Sequence, residues 1–203
     1  VGPIGPIFVN PDDSDVSGDV SGTWKINEDL NVYARVARGF RAASNQGRVL
    51  FGDVGSVAES ETVLSYEAGV KADLFDRRAR VSFTVFHYIV DDQQLTAVGG
   101  ATNFNTLINA EESTGQGFEL DLEAYLMDNL LVTFGASYNN TRIEDASLAV
   151  GICAQCTVTD PTVMIAGTRR ALVDGNPFPN APEWIIDAGA RFGVPMGNDG
   201  ELF

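Results

Sequence analysis

The sequence predicts an all-β fold: an antiparallel up-and-down transmembrane β-barrel segment of about seven strands plus the start of an eighth. Three observations carry that expectation. Long stretches place an apolar side chain at every second position, the period of a strand whose successive side chains point to opposite faces. These stretches reach ten residues, as over 117–126, which is longer than ordinary soluble strands. The connections alternate between very short and very long, the pattern of a barrel with short periplasmic turns at one rim and long extracellular loops at the other.

The beat is cleanest at 117–126, where Phe118, Leu120, Leu122, Ala124 and Leu126 share one face and Gly117, Glu119, Asp121 and Glu123 the other. A helix would scatter both sets. In chain order, the first strand is expected over Val16–Ile26, with Val16, Val20, Trp24 and Ile26 opposite Ser17, Asp19, Ser21, Thr23 and Lys25. Asn27-Glu28-Asp29 turns it tightly into a second, in which Leu30, Val32, Ala34 and Val36 oppose Asn31, Tyr33, Arg35 and Ala37. A polar, glycine-bearing loop over 41–62 leads to Tyr66, Ala68, Val70, Ala72 and Leu74 against Ser65, Glu67, Gly69, Lys71 and Asp73. Asp76-Arg77-Arg78 then turns into Ala79, Val81, Phe83 and Val85 against Arg80, Ser82 and Thr84. Past Phe86 the beat blurs, and a long loop is expected over roughly 91–113.

After the 117–126 strand, Met127-Asp128-Asn129 turns into Leu130, Val132, Phe134, Ala136 and Tyr138 against Thr133, Gly135, Ser137 and Asn139. The longest loop is expected over 143–181. The seventh strand sets Trp184, Ile186, Ala188, Ala190, Phe192 and Val194 against Asp187, Gly189, Arg191 and Gly193, and a last one barely begins at Glu201. This arrangement puts Tyr66, Tyr138 and Trp184 near the long-loop rim and Trp24 and Phe192 near the short-turn rim, as two aromatic belts. A soluble β-sandwich also alternates, but it requires Leu120, Leu122, Phe134 and Ile186 to pack on a second sheet. The strand lengths, and the scarcity of proline and lysine guards along the strands, weigh against it.

Composition excludes further classes. A net charge of −15 argues against a duplex nucleic-acid binder, which needs a basic footprint. No apolar run reaches about 18 residues, so a helical span is not expected. Val1–Asn10 has no basic leader and contains Pro3 and Pro6, which implies a cytosolic chain or a piece whose leader lies elsewhere. Cys153 and Cys156 sit in one polar loop, and the single histidine, His87, lies far from them, so no zinc site is expected. A short Cys153–Cys156 disulfide and two inert thiols both remain open. A lone His87, read as a rim or wall residue, and no phosphate-cradling glycine loop leave no catalytic constellation; no enzyme activity, cofactor or metal is expected. Asp91-Asp92 and Asp12-Asp13-Asp15 read as calcium-binding runs or simply as soluble acidic loops.

Val36–Ser44 reads Val-Ala-Arg-Gly-Phe-Arg-Ala-Ala-Ser and resembles the Ala-Arg-Gly-Phe-Arg-Ala-Pro-Ser segment of TonB-dependent outer-membrane receptors, with Ala43 in place of the proline. The likeness continues in order. Tyr66-Glu67-Ala68-Gly69-Val70-Lys71 is similar to that family's Tyr-Glu-Leu-Gly-Val-Lys, and Val85–Leu95 to its strand ending in an aromatic, acid-rich lip. Gly117-Phe118-Glu119-Leu120-Asp121 and Pro179-Asn180-Ala181-Pro182 are similar to two further segments.

The resemblance implies that residues 1–203 are a partial barrel domain, a middle-to-late arc of a wall of about 22 strands, with the N-terminal plug absent and Phe203 a chance end. It also implies a bacterial outer-membrane transporter that imports a scarce nutrient such as a ferric siderophore with TonB-supplied energy. Its partners would be outer-membrane lipid, the TonB complex through the missing plug, and the small ligand. A small porin-like or adhesin-like barrel and a soluble sandwich binding sugar or protein are the alternatives. Loop and rim arginines Arg41, Arg48, Arg142, Arg169 and Arg170 are candidates for an anionic ligand, since guanidinium pairs well with carboxylate and catecholate oxygens. They also read as solvated partners of acids such as Glu59, Glu61, Glu144 and Asp145.

Overall fold

The computed structural model describes residues 13–46, 55–99, 104–153, 157, 159–196 and 200–202, and the described secondary structure is all strand and turn. In chain order the strands are β1 (Gly18–Lys25), β2 (Leu30–Arg41), β3 (Ser44–Asn45), β4 (Val57–Ala58), β5 (Glu61–Leu74), β6 (Ala79–Gly99) and β7 (Phe104–Met127). They continue as β8 (Leu130–Glu144), β9 (Ala149–Gly151), β10 (Thr162–Ile165), β11 (Thr168–Leu172), β12 (Trp184–Phe192), β13 (Val194–Met196) and β14 (Gly200–Leu202). One seven-stranded antiparallel sheet, ordered β1-β2-β5-β6-β7-β8-β12, dominates. It is an open wall; its edges do not meet.

The register keeps the two faces pure. Trp24, Val32, Val70, Phe83, Leu120, Ala136 and Ile186 are successive cross-strand partners, so one apolar row crosses all seven strands. On the other face, Lys25, Asn31, Lys71, Ser82, Asp121, Gly135 and Asp187 form the matching polar row. A slip of one residue anywhere would exchange the two sets. The only irregularity in the seven-strand register lies between Tyr125 and Met127, where Leu126 bulges out beside the Asp128-Asn129 turn.

No second layer covers the apolar face among the described residues. Val20 is 78% exposed, Trp24 72% and Ile186 65%, and Phe134 is 37% exposed. Among the described residues Leu120, Leu122, Phe134 and Ile186 therefore meet no facing sheet, as the barrel wall expects and the sandwich alternative does not. The whole chain exposes 13668 Å², whereas a compact globule of 21.7 kDa exposes about 9,200 Å². Of the described buried apolar residues, Val90, Ala110, Ile143, Ala58 and Ala171 belong to the long-loop end, and Ala79 lies beside the Asp76-Arg77-Arg78 turn.

Two expected loops are corrected. The stretch 91–113 is largely strand: β6 and β7 stay paired out to Gly99 and Phe104, so this connection is short and the strands are long. The beat fades there because polar residues such as Asp91, Asp92, Gln93 and Gln94 need only the backbone ladder and neighbouring loops. Likewise, 143–181 is not a plain loop. β8 continues to Glu144, and β9, β10 and β11 form a three-stranded sheet ordered β10-β11-β9. The seventh strand ends at Phe192, and β13 pairs with β14 in a separate hairpin.

The polar face is smoothed by aromatic rings laid over glycines. Tyr33 lies across its cross-strand partner Gly69, and its hydroxyl donates to Glu67 Oε1 at 2.6 Å and lies 2.9 Å from Thr84 Oγ1. Lys71 Nζ sits 5.6 Å from the centre of the same ring. A Cβ at Gly69 would strike the Tyr33 ring, a side-chain end that can swing away by giving up those bonds. A Cβ at Gly117 would instead strike the Tyr138 carbonyl oxygen, fixed by the ladder. In the full-length protein we expect Gly117→Ala to destabilise by about 1–3 kcal/mol and more than Gly69→Ala. Denaturant unfolding of the two variants, with Tyr33→Ala/Gly69→Ala as a double mutant recovering part of the Gly69 loss, checks both assignments.

Candidate functional site

The long-loop end is where connecting segments, polar side chains and the small core come together. The paired extension of β6 and β7 is its axis, clasped on both faces. On one face, Gln94 and its cross-strand partner Asn109 hold the segment between β2 and β5. Gln94 Nε2 donates to the carbonyls of Ala42 at 2.8 Å and Glu59 at 2.9 Å, and Ser44 Oγ donates to Gln94 Oε1 at 2.7 Å. Asn109 Oδ1 accepts from the Glu59 N–H at 2.8 Å, and its Nδ2 donates back to the Glu59 carbonyl at 3.0 Å. Asx and amide side chains replace the missing sheet neighbour, so the exposed backbone of the loop is satisfied.

The opposite face, carrying the partners Leu95 with Ile108 and Ala97 with Thr106, turns toward the β9–β11 sheet. Between them lies a cavity of about 380 Å³, walled mainly by apolar groups including Ile143, Val150 and Val173, with Arg170 and Asp160 in its lining. Asn176 Nδ2 donates to Asp160 Oδ1 at 3.1 Å, while Asp160 Oδ2 is buried without a partner. That size falls within the range of small-molecule pockets.

Asp145, 7% exposed at the end of β8, locks this loop to the wall. Its carboxylate accepts from the Glu111 N–H at 3.1 Å, the Ser147 N–H at 2.9 Å and the Ser147 hydroxyl at 2.8 Å, and its own N–H donates to Asp174 Oδ1 at 2.9 Å. Burial pushes this carboxyl up, but the Glu111, Ser147 and Leu148 donors together hold it below the ordinary 3.8. Sequence spacing reveals only part of this role, because Ser147 is a local partner but Glu111 lies on β7 and Asp174 beyond β11.

The five candidate arginines are dispersed. Arg41 ends β2 and faces Glu61 at 3.7 Å. Arg169 and Arg170 are neighbours on β11, so they point to opposite faces; Arg169 Nε donates to Thr162 Oγ1 at 3.1 Å, and Arg170 lines the cavity. Arg142 lies on β8, on the same face as Tyr138. Arg48 lies outside the described residues. Cys153 is disulfide-bonded, and Cys156 lies outside the described residues. The Thr157 hydroxyl accepts from the Cys153 N–H at 2.9 Å and donates to the Cys153 carbonyl at 2.8 Å.

Asp12 also lies outside the described residues, Asp13 accepts from the Ala43 N–H, and Asp15 is taken by Arg38. No group of three His, Cys, Asp or Glu side chains converges among the described residues. His87 stands in the wall between Tyr66 and Gln116.

Just below this end, on the apolar face, the aromatic residues gather into one cluster. Tyr138 and Trp184 pair across β8 and β12 with ring centres 4.8 Å apart, Phe118 lies 6.0 and 5.9 Å from them, and Phe83 follows at 5.9 Å. At the opposite end the turns carry exposed ion pairs, Arg77 with Asp29 at 3.1 Å and Arg78 with Asp128 at 2.8 Å. The molecule thus has one rim of short charged turns, one rim of elaborated loops, and an uncovered apolar band between, the layout of a membrane-type β-barrel wall.

Residues 5–200 match the family model described as TonB dependent receptor-like, beta-barrel, and the chain belongs to that family. The family is one of receptors and transporters, not of enzymes. Solved structures agree on the fold. The ferric yersiniabactin uptake receptor FyuA of Yersinia pestis superposes with a TM-score of 0.61 at 16% identity, over 89% of this chain and 23% of that one. The siderophore receptor PiuA of Acinetobacter baumannii gives 0.57 at 16%, over 87% and 23%. The alcaligin outer-membrane receptor FauA of Bordetella pertussis gives 0.51 at 16%, over 89% and 27%. The chain therefore spans about a quarter of the length of these relatives.

The loop lock at Asp145 carries a pH signature. Because its folded pKa is depressed, its contribution is present above the unfolded value of 3.8 and is lost as pH falls through the lower, folded value. Pepsin digestion of the full-length protein over that acid range is expected to begin cutting within 143–181 as the carboxylate protonates. Asp145→Asn shifts the onset to higher pH; an unchanged onset would remove Asp145 from this role.

Proposed function

We propose that residues 1–203 are part of the barrel of an outer-membrane active-transport receptor, one that captures a scarce nutrient such as a ferric siderophore and imports it with energy supplied through TonB. The observation that carries the reading is the uncovered apolar band, crossed in register by all seven strands of a chain that belongs to the TonB-dependent receptor barrel family. Hydrocarbon tails of the outer membrane cover that band, and the polar face lines the interior. In support, β1 and β12 each pair on one side only among the described residues, as strands inside a larger barrel wall would if their neighbours were removed. The siderophore receptors that share this fold support the nutrient class. Import of this kind makes and breaks no bond in the nutrient, so the chain acts as a receptor without a resident cofactor.

Ligand is captured at the long-loop end, with Arg41, Arg48, Arg169 and Arg170 as the cationic candidates and Arg170, beside the cavity, the first to test, whereas Arg142 shares the outward face of Tyr138. The plug that contacts TonB is supplied by chain outside this stretch. A Cys153–Cys156 disulfide, formed by the only two cysteines, staples the loop in the oxidising space outside the inner membrane.

Leu122 and Asp121 are neighbours on β7 that point to opposite faces, with Leu122 partnered by Val81 and Phe134 in the middle of the band. In the full-length receptor, Leu122→Arg is expected to cost about 2–4 kcal/mol of barrel stability in lipid, and Asp121→Arg far less. Heat-modifiable migration and urea unfolding in vesicles measure both. Equal tolerance at the two positions would reverse the face assignment and with it the membrane reading.

A further inference from the structure

Within the membrane reading above, on which this inference rests, we propose that Arg142 binds the phosphate of an outer-leaflet lipid headgroup, on the outside of the barrel rather than in the ligand path. Its position follows from register. The row Val85, Phe118, Tyr138 and Trp184, which carries three of the clustered rings, is followed outward by Tyr66, His87, Gln116 and Asn140, and then by Arg38, Leu64, Ile89, Thr114 and Arg142. Side chains on this face thus pass from ring to amide to guanidinium in two steps along the strand. Arg142 stands four residues beyond Tyr138, about 10 Å further along the membrane normal at a strand tilt of about 40°. A long arginine stem spans much of that distance back toward the belt, which places its head at headgroup depth.

Availability points the same way. The chain has 28 acidic against 13 basic side chains, and its described arginines are mostly engaged. Arg35, Arg38, Arg41, Arg77, Arg78 and Arg80 each hold a carboxylate, at distances from 2.6 to 3.7 Å. Arg38, in the same row as Arg142, is closed off by a two-point pair with Asp15. Arg142 is exposed and holds no carboxylate among the described residues, although Glu144 stands on the same face. Glu144 instead accepts from Thr114 Oγ1 at 2.8 Å.

An unpaired outward guanidinium in so acidic a chain is matched to an anion that comes from outside, and phosphate accepts its two parallel N–H groups. Gln116 and Asn140, partners one row nearer the belt, add amide donors. Asp91, Glu112 and Glu144 form the next row outward and repel an anion there, which confines the phosphate to the belt side.

The test uses the full-length receptor folded in zwitterionic detergent and titrated with short-chain phosphatidylglycerol, matched phosphatidylcholine, or inorganic phosphate, with the melting temperature as readout. Wild type is expected to be stabilised by phosphatidylglycerol in preference to phosphatidylcholine. Arg142→Gln weakens that apparent affinity about tenfold, Arg142→Lys recovers most of it, and Lys25→Gln, on the polar face at the short-turn rim, changes nothing. The melting temperature without lipid stays the same in all four proteins, which separates headgroup binding from a structural role. Three results overturn the proposal: equal phosphatidylglycerol response in wild type and Arg142→Gln, stabilisation by inorganic phosphate alone, or a lowered lipid-free melting temperature in Arg142→Gln that Lys restores equally. None of the three touches the membrane reading, which the Leu122→Arg and Asp121→Arg pair tests separately in vesicles; equal tolerance there overturns both.

Discussion

Everything in this wall depends on seven strands holding one register. Backbone groups in an apolar medium have no water to turn to, so each must find its partner across the ladder, and a sheet closed into a barrel is one of the two ways to achieve that. Once the ladder is fixed, the two-residue period decides which side chains meet the apolar medium. The row from Trp24 to Ile186 and the row from Lys25 to Asp187 are offset by one residue on every strand. The chemistry of both faces is therefore a consequence of a single pairing choice, repeated six times between neighbours.

Above the band that constraint is released, and the stabilisation changes kind. β6 and β7 keep their ladder but lose their alternation, and what holds neighbouring segments against them is side-chain hydrogen bonding from Gln94, Asn109 and Asp145 together with a small core around Val90, Ala110 and Ile143. Bonds of this sort are individually worth about 1 kcal/mol, rising for charged acceptors. A loop assembly held by them opens more readily than the wall beneath. The chain is thus divided between a stiff band and a yielding rim.

How much of this was legible follows from the same physics. β1, β2, β5, the lower halves of β6 and β7, β8 and β12 are written in the sequence because an asymmetric environment demands alternating residues, as at Phe118, Leu120 and Leu122. The extension of β6 and β7 was not legible, since a ladder flanked by loops on both faces imposes no hydrophobic pattern. The β10–β11 hairpin did leave a trace: Ala166 and Gly167, both at positive φ, form a two-residue connection of the kind that favours glycine, between Val-Met-Ile and Thr-Arg-Arg-Ala-Leu. Arg170 was visible as a loop cation, but its place beside Asp160, Asn176 and the cavity depends on contacts among β6, β8 and β11, which no local pattern encodes.

The distribution of cations shows why the face, more than the residue type, decides a role in such a wall. Arg35 and Arg80 point to the polar face and reach across one strand to Asp19 and Asp73, so their charge is spent in tying neighbouring strands together. Lys71 lies over the Tyr33 ring, itself bonded to Glu67, and the polar face becomes a chain of local contacts with little free charge. The same guanidinium turned outward has no such neighbours below the rim, because the apolar band allows none. It appears only where the band ends, at the level of Arg38 and Arg142, and there its partner must come either from the chain's own N-terminal segment, as Asp15 does for Arg38, or from the surroundings.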